Sequence, residues 1–140
     1  MIVLDTNVVS EAIRPRPDQA VSAWLTARPP SSLFISTITE AELFYGLELL
    51  PDGQRRAELT DAIRAIFRDG FRGRVLPFDG AAAKAYATVA ATRRAIGRPI
   101  SALDAQIAAI ARSRGASVAT RNVADFDDCG IDVLDPWSTV

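Results

Sequence analysis

The sequence predicts an α/β protein with a mainly parallel sheet of about five strands and helices on both faces. Three observations carry this. Short apolar runs alternate with longer segments whose apolar residues fall at helical spacing, proline and glycine sit between these segments, and no linker, internal repeat or low-complexity tract interrupts the order.

The elements follow in turn. Ile2-Val3-Leu4 forms a strand that ends at Asp5-Thr6-Asn7, and Val8 to Ile13 forms a helix stopped by Pro15 and Pro17. Asp18 to Arg28 carries Ala20, Val21, Trp24 and Leu25 on one side of a second helix, closed by Pro29-Pro30. Leu33 to Ser36 is the next strand. Thr37 to Leu50 is a helix with Ile38, Leu43, Leu47 and Leu50 along one side, ended by Pro51-Asp52-Gly53. Another helix runs from Gln54 to about Phe71 and carries Leu59, Ile63, Ile66 and Phe67. Val75 to Phe78 is a third strand. The alanine-rich stretch Ala81 to Ile96 is a long helix with Tyr86, Val89 and Ala90 in its buried stripe, stopped by Gly97 and Pro99. Ser101 to Arg114 is a helix with Leu103, Ile107, Ile110 and Ala111 facing inward, and Gly115 closes it. Ser117 to Thr120 and Ile131 to Leu134 supply two further strands, with a loop or short helix through Phe126 between them.

Bulk properties narrow the class. A chain of 140 residues that is 49% hydrophobic and 24% charged fits one globular domain spanning 1–140 and is too apolar for disorder. No apolar run reaches transmembrane length, and Met1 leads straight into the first strand without a basic leader region, so the expected location is the cytoplasm. One cysteine, Cys129, allows no internal disulfide. A formal charge of -1 argues against nucleic-acid binding driven by total charge. A local basic face is another matter. All but one of the 16 cations are arginine, and Arg93, Arg94, Arg98, Arg112, Arg114 and Arg121 flank the segment that holds Asp104. Arginine suits bidentate phosphate contacts, while solvated helix faces or an acidic partner would explain the same grouping.

Asp5, Glu42 and Asp104 lie far apart in a chain with no histidine, each near a strand end or a helix start. Oxygen donors without imidazole or thiolate suit a hard cation such as Mg²⁺ or Mn²⁺ rather than zinc or copper. In an open α/β sheet, ligands bind beyond the carboxyl ends of the strands where the strand order reverses. Asp5, Asp104 and Thr120-Arg121-Asn122 belong at that edge, and Glu42 would point inward from its helix. Carboxylates converging there repel one another and require a counter-charge. Each acid also has a structural alternative. Thr39-x-x-Glu42 and Ser101-x-x-Asp104 match capping boxes, and Asp5 could cap the first helix.

Other chemistries find no support. Without histidine there is no Ser-His-Asp or Cys-His nucleophile, no G-x-G-x-x-G or P-loop pattern occurs, and Asp5-Thr6-Asn7 lacks the second Asp of an aspartyl-phosphate hydrolase.

Four motifs in order resemble the PIN-domain ribonucleases, and more closely the VapC-type toxins of type II toxin-antitoxin pairs. They are Ile2 to Val8, Ile38 to Gly46, Ile100 to Ala108 and Val118 to Phe126. The resemblance implies a single PIN-like domain in which Asp5, Glu42, Asp104 and Asn122 are catalytic. It makes Asp5 and Asp104, with Glu42, the ligands of Mg²⁺ or Mn²⁺, supported by Asn7, Thr120 and Asp125. Many members carry an acid where this chain has Asn122, which bears on whether one or two ions bind. The resemblance further implies metal-dependent hydrolysis of RNA, a small cognate antitoxin whose tail covers the site, and a homodimer or toxin-antitoxin hetero-oligomer. Trp24, Leu25, Phe44, Tyr45, Leu47 and Leu50 are candidates for such interfaces as well as for the core. A nuclease acting on DNA and a catalytically weak protein-binding module are the competing readings.

Overall fold

In the computed structural model, which describes residues 1–138, the elements run β1 (Ile2–Leu4), α1 (Thr6–Ala12), α2 (Gln19–Thr26), β2 (Leu33–Ser36), α3 (Thr37–Glu48), α4 (Gln54–Ala65), β3 (Val75–Leu76), α5 (Gly80–Ala95), α6 (Ala102–Ser113), β4 (Ser117–Ala119) and β5 (Val133–Leu134). The last two residues of the expected domain, 139–140, lie outside the described residues. All strand pairs are parallel, in the order β3-β2-β1-β4-β5. Each connection up to β4 passes through helices, as parallel neighbours require. Strand order therefore reverses between β1 and β4, where Ile2 to Leu4 lie beside Ser117 to Ala119.

The two-residue period of the strands divides the core between the faces. Val3, Leu76 and Val118 point toward α5 and α6 and pack with Val89, Ile107, Ile110 and Phe126. Leu4, Leu33, Ile35 and Ala119 point the other way, toward Val8 and Val9 of α1, Val21 of α2, Leu43 and Leu47 of α3 and Ile63 of α4. The alanines of α6 allow that helix to sit deep, with Ala105 and every residue from Ile107 to Ala111 buried.

Helix starts are chemically explicit. The side chains of Asp5, Asp18, Ser36, Asp79 and Ser101 each accept from a backbone N–H of the following helix. The helix expected to reach Phe71 is regular only to Ala65. It then widens into a π turn over Ile66–Gly70, with Phe71 N–H donating to Ile66 O at 2.8 Å, and Gly73 at φ +74° turns the chain into β3. A second departure concerns Leu103, expected inside but 47% exposed. It lies in the first turn of α6, beyond the strand ends, where the sheet no longer offers a surface to pack against.

Of the expected interface residues, Leu47 is buried, and Trp24, Leu25, Phe44 and Leu50 pack on the core. Tyr45 is 65% exposed. Among the described residues no helix is long and apolar enough to cross a membrane.

Arg93, at the end of α5 and only 5% exposed, ties this helix to the loop after β4. Its Nε donates to Arg98 O at 2.7 Å, and its Nη1 donates to Asp125 O at 2.8 Å and Asp127 O at 3.0 Å. Removing the guanidinium leaves these carbonyls without their charged donor. Arg93→Met is expected to lower stability by about 3 kcal/mol in urea denaturation, whereas Arg94→Met, on the exposed side of the same helix, should stay within about 0.5 kcal/mol of the parent.

Candidate active site

Asp5 follows β1 directly, and its carboxylate is the hub of the strand reversal. Its backbone N–H donates to Ala119 O at 2.9 Å, which fixes the end of β1 against β4. Its Oδ1 accepts from Thr6 N–H at 2.8 Å and its Oδ2 accepts from the Thr120 hydroxyl at 2.8 Å. The same Thr120 oxygen accepts from Asn122 N–H at 3.1 Å and Asn7 Nδ2 at 3.3 Å, so its one proton and both lone pairs are engaged. Asn7 Oδ1 in turn accepts from Arg121 N–H at 3.3 Å. Asp5 thus caps α1 and anchors the loop after β4 with the same carboxylate.

Glu42 is placed by hydroxyls. Thr6 Oγ1 donates to Glu42 Oε1 at 2.8 Å and lies 3.1 Å from Thr39 Oγ1. With the Thr6 proton directed to the carboxylate, Thr39 must donate to Thr6, and Ser36 Oγ donates to Thr39 at 3.5 Å. The chain of donors runs Ser36, Thr39, Thr6, Glu42. The capping-box alternative for Glu42 fails, because Ser36 caps α3 through Thr39 N–H at 3.1 Å and Glu42 faces the cleft. Asp5 does cap its helix with its carboxylate, whereas only the serine half of the Asp104 box forms. Ser101 Oγ accepts from Asp104 N–H at 3.3 Å, yet the Asp104 side chain also lines the cleft.

Asp5, Glu42, Asp104, Asn7 and Asn122 form the walls of one cleft of about 540 Å³ at the carboxyl ends of β1 and β4. Burial raises the Asp5 carboxyl above its ordinary range, opposed by its hydrogen bonds to Thr120 and Thr6 and reinforced by the charges of Asp104 and Glu42. Burial likewise raises Asp104, opposed by Ser101 and Arg93 and reinforced by Asp125. Asp125 contributes that charge from outside the cleft, on the short 3-10 turn Val123–Phe126, and is exposed.

Among the described residues no three acidic, histidine or cysteine groups close into a ready-made cage. The donors are nevertheless all oxygen, mutually repulsive and partly desolvated. That combination fits a hard divalent ion that keeps several of its waters, with Asp5, Asp104 and Glu42 as the groups able to hold it.

The expected arginine cluster is mostly engaged elsewhere. Arg93 is buried on backbone carbonyls, Arg98 pairs with Asp127 and Asp128, Arg112 donates to Cys129 O, and Arg114 pairs with Asp79. Only Arg121 of that group lines the cleft. Sequence reasoning missed Glu11 and Arg14, which pair at 3.3 Å on another wall, and Trp137 at the rim. Glu11 is one acid in a short helix and Arg14 lies just past its end, with no motif around either, and Trp137 stands outside any periodic segment.

The PIN domain model matches residues 2–130. The chain belongs to the PIN domain family. It is 42% identical to the VapC ribonuclease Y4jK of Sinorhizobium fredii over 137 residues, covering 98% of each chain. It is 39% identical to Toxin FitB of Neisseria gonorrhoeae over 137 residues, covering 98% of this chain and 99% of that one. The structure of FitAB bound to an IR36 DNA fragment superposes with a TM-score of 0.93 at 37% identity, covering 100% of this chain and 98% of the other.

A carboxyl raised in the folded protein binds more protons folded than unfolded. Its contribution is complete below the ordinary aspartate range and is lost as pH rises through the raised folded range. In chelator, urea midpoints of this PIN domain should therefore fall as pH rises from the ordinary aspartate range toward neutrality, and Asp104→Asn should fall less steeply. An equal slope in both proteins would show that Asp104 is not under this load.

Proposed function

We propose that this PIN domain is a metal-dependent endoribonuclease, the toxin of a type II toxin-antitoxin pair. The observation that carries the reading is the convergence of Asp5, Glu42 and Asp104 on one cleft at the strand reversal. Its relatives' names, a VapC ribonuclease and a toxin, point the same way. Dependence on a divalent metal is general among PIN-domain nucleases, and Mg²⁺ is our choice over Mn²⁺ because an ion held by one or two carboxylates that keeps several of its own waters suits an open cleft.

Asp5 and Asp104 would hold the ion, Asp5 with its orientation fixed by Thr6 and Thr120. When bound, such an ion supplies charge for the phosphate oxygens and acidifies water in its shell. Glu42, held through one oxygen by Thr6, keeps its other oxygen available to orient a water and take its proton. Asn122 offers an amide oxygen at the fourth corner. With this neutral group where an acid would serve a second ion, one firmly held ion is our reading.

The antitoxin would occupy the adjoining groove of about 580 Å³, which shares Thr6, Ser10, Arg14 and Glu42 with the cleft and continues along Leu43, Leu47 and Leu59. An apolar segment lying there would reach the acids and block them.

Asp104→Asn and Glu42→Gln are each expected to lower the rate of cleavage of total RNA by about 10²-fold or more without changing the fold by circular dichroism. Chelator should abolish cleavage by the parent, and Mg²⁺ should restore it. Wild-type rates in Asp104→Asn would remove this assignment. Thr6→Val should lower kcat about tenfold with KM held, and Thr6→Ser should recover most of the loss. Equal losses in both Thr6 variants would mean that the hydroxyl does not orient Glu42.

A further inference from the structure

We propose that Arg121, held in place by Trp137, is the subsite that grips a phosphate of the RNA strand beside the bond being cut; this rests on the nuclease reading above. The cleft contains four carboxylates, Asp5, Glu11, Glu42 and Asp104, and two arginines, Arg14 and Arg121. Arg14 is paired with Glu11 at 3.3 Å. Arg121 has no carboxylate partner among the described residues, although three unpaired acids share its cleft.

What holds Arg121 is a ring. Its guanidinium carbon lies 5.2 Å from the centroid of the Trp137 ring, within cation–π range. Trp137 is itself held, since its backbone N–H donates to Asp135 Oδ1 at 2.9 Å and its side chain packs against the core cluster that includes Val8 and Ala119. At the other end, Arg121 N–H donates to Asn7 Oδ1, which ties the backbone of this residue to the Asp5–Thr120 network. The residue is therefore anchored at its backbone and steadied at its guanidinium, while remaining exposed to solvent.

A cation–π contact at this distance uses none of the guanidinium N–H groups as hydrogen-bond donors, so they stay free. Their fork matches two phosphate oxygens, and the ring limits the side-chain freedom that phosphate binding would otherwise have to remove. A carboxylate partner would compete with the phosphate; a ring does not. Trp137 acts through Arg121 and is a positioning residue, not a catalytic one.

Only two tryptophans exist, Trp24 and Trp137, so Trp24→Phe leaves Trp137 as the single indole reporter. In a Trp24→Phe, Glu42→Gln protein, a single-stranded RNA oligonucleotide of mixed sequence should change Trp137 emission saturably. In that background Arg121→Ala should weaken binding about tenfold and flatten the plot of log K against log salt by about 0.7 for one lost phosphate contact on a single strand. In proteins that retain Glu42, the loss in Arg121→Ala should fall on KM rather than kcat. Arg121→Lys should recover part of the affinity, and, read from the anisotropy of a dye-labelled RNA because these variants lack the indole reporter, Trp137→Phe should keep more of it than Trp137→Leu. The subsite is overturned if Arg121→Ala binds RNA with parental affinity and salt slope, or if inorganic phosphate alone reproduces the emission change at the same concentration as RNA. Failure of the nuclease reading looks different: the parent protein would then not cleave RNA, or Asp104→Asn would cleave it normally.

Discussion

The arrangement depends on one constraint, a desolvated carboxylate at the point where the parallel sheet reverses its order. Asp5 is 6% exposed, and the charges of Asp104 and Glu42 act on it across the cleft. Burying an ionised carboxylate is unfavourable unless its oxygens are satisfied and a counter-charge is available. The fold supplies the first condition through Thr6 N–H and the Thr120 hydroxyl. The proposed cation would supply the second. Neighbouring features follow from that demand: Thr120 holds Asp5 with its one proton, and its two lone pairs are filled by the Asn7 side-chain amide and the Asn122 backbone N–H.

Much of this was legible in the residues. Every expected strand and helix exists, because short apolar strands flanked by proline and glycine leave few other ways to bury both faces of a sheet. The positions of Asp5 and Asp104 followed from topology, since strand ends and helix starts in an open α/β sheet gather at one edge, whereas Glu42 had to be turned inward from the middle of its helix. Leu103 was misread because helical periodicity does not show where the neighbouring layer stops. The π turn after Ala65 was missed because the apolar stripe that marks the helix is already complete at Ile66 and Phe67, where the widened turn begins.

Arginine was the least legible residue type. Six arginines near Asp104 suggested a basic face, yet most of them hold loops or pair with exposed acids. What separates Arg121 from the rest is its place on the cleft wall together with the Trp137 ring beside it, both tertiary facts. The same holds for the Ser36, Thr39 and Thr6 hydroxyls behind Glu42, whose donor direction emerges only from their mutual distances. In both cases the acids are recognisable from sequence and the groups packed around them are not.

The central claim is that Asp5 and Asp104 together hold a divalent cation that relieves their crowding. Calorimetric titration of Mg²⁺ into the isolated chain tests it most directly. The account predicts saturable binding that tightens as pH rises through the raised carboxyl range, and its loss in both Asp5→Asn and Asp104→Asn. Unchanged Mg²⁺ binding in either variant, or no binding by the parent protein at neutral pH, would contradict it.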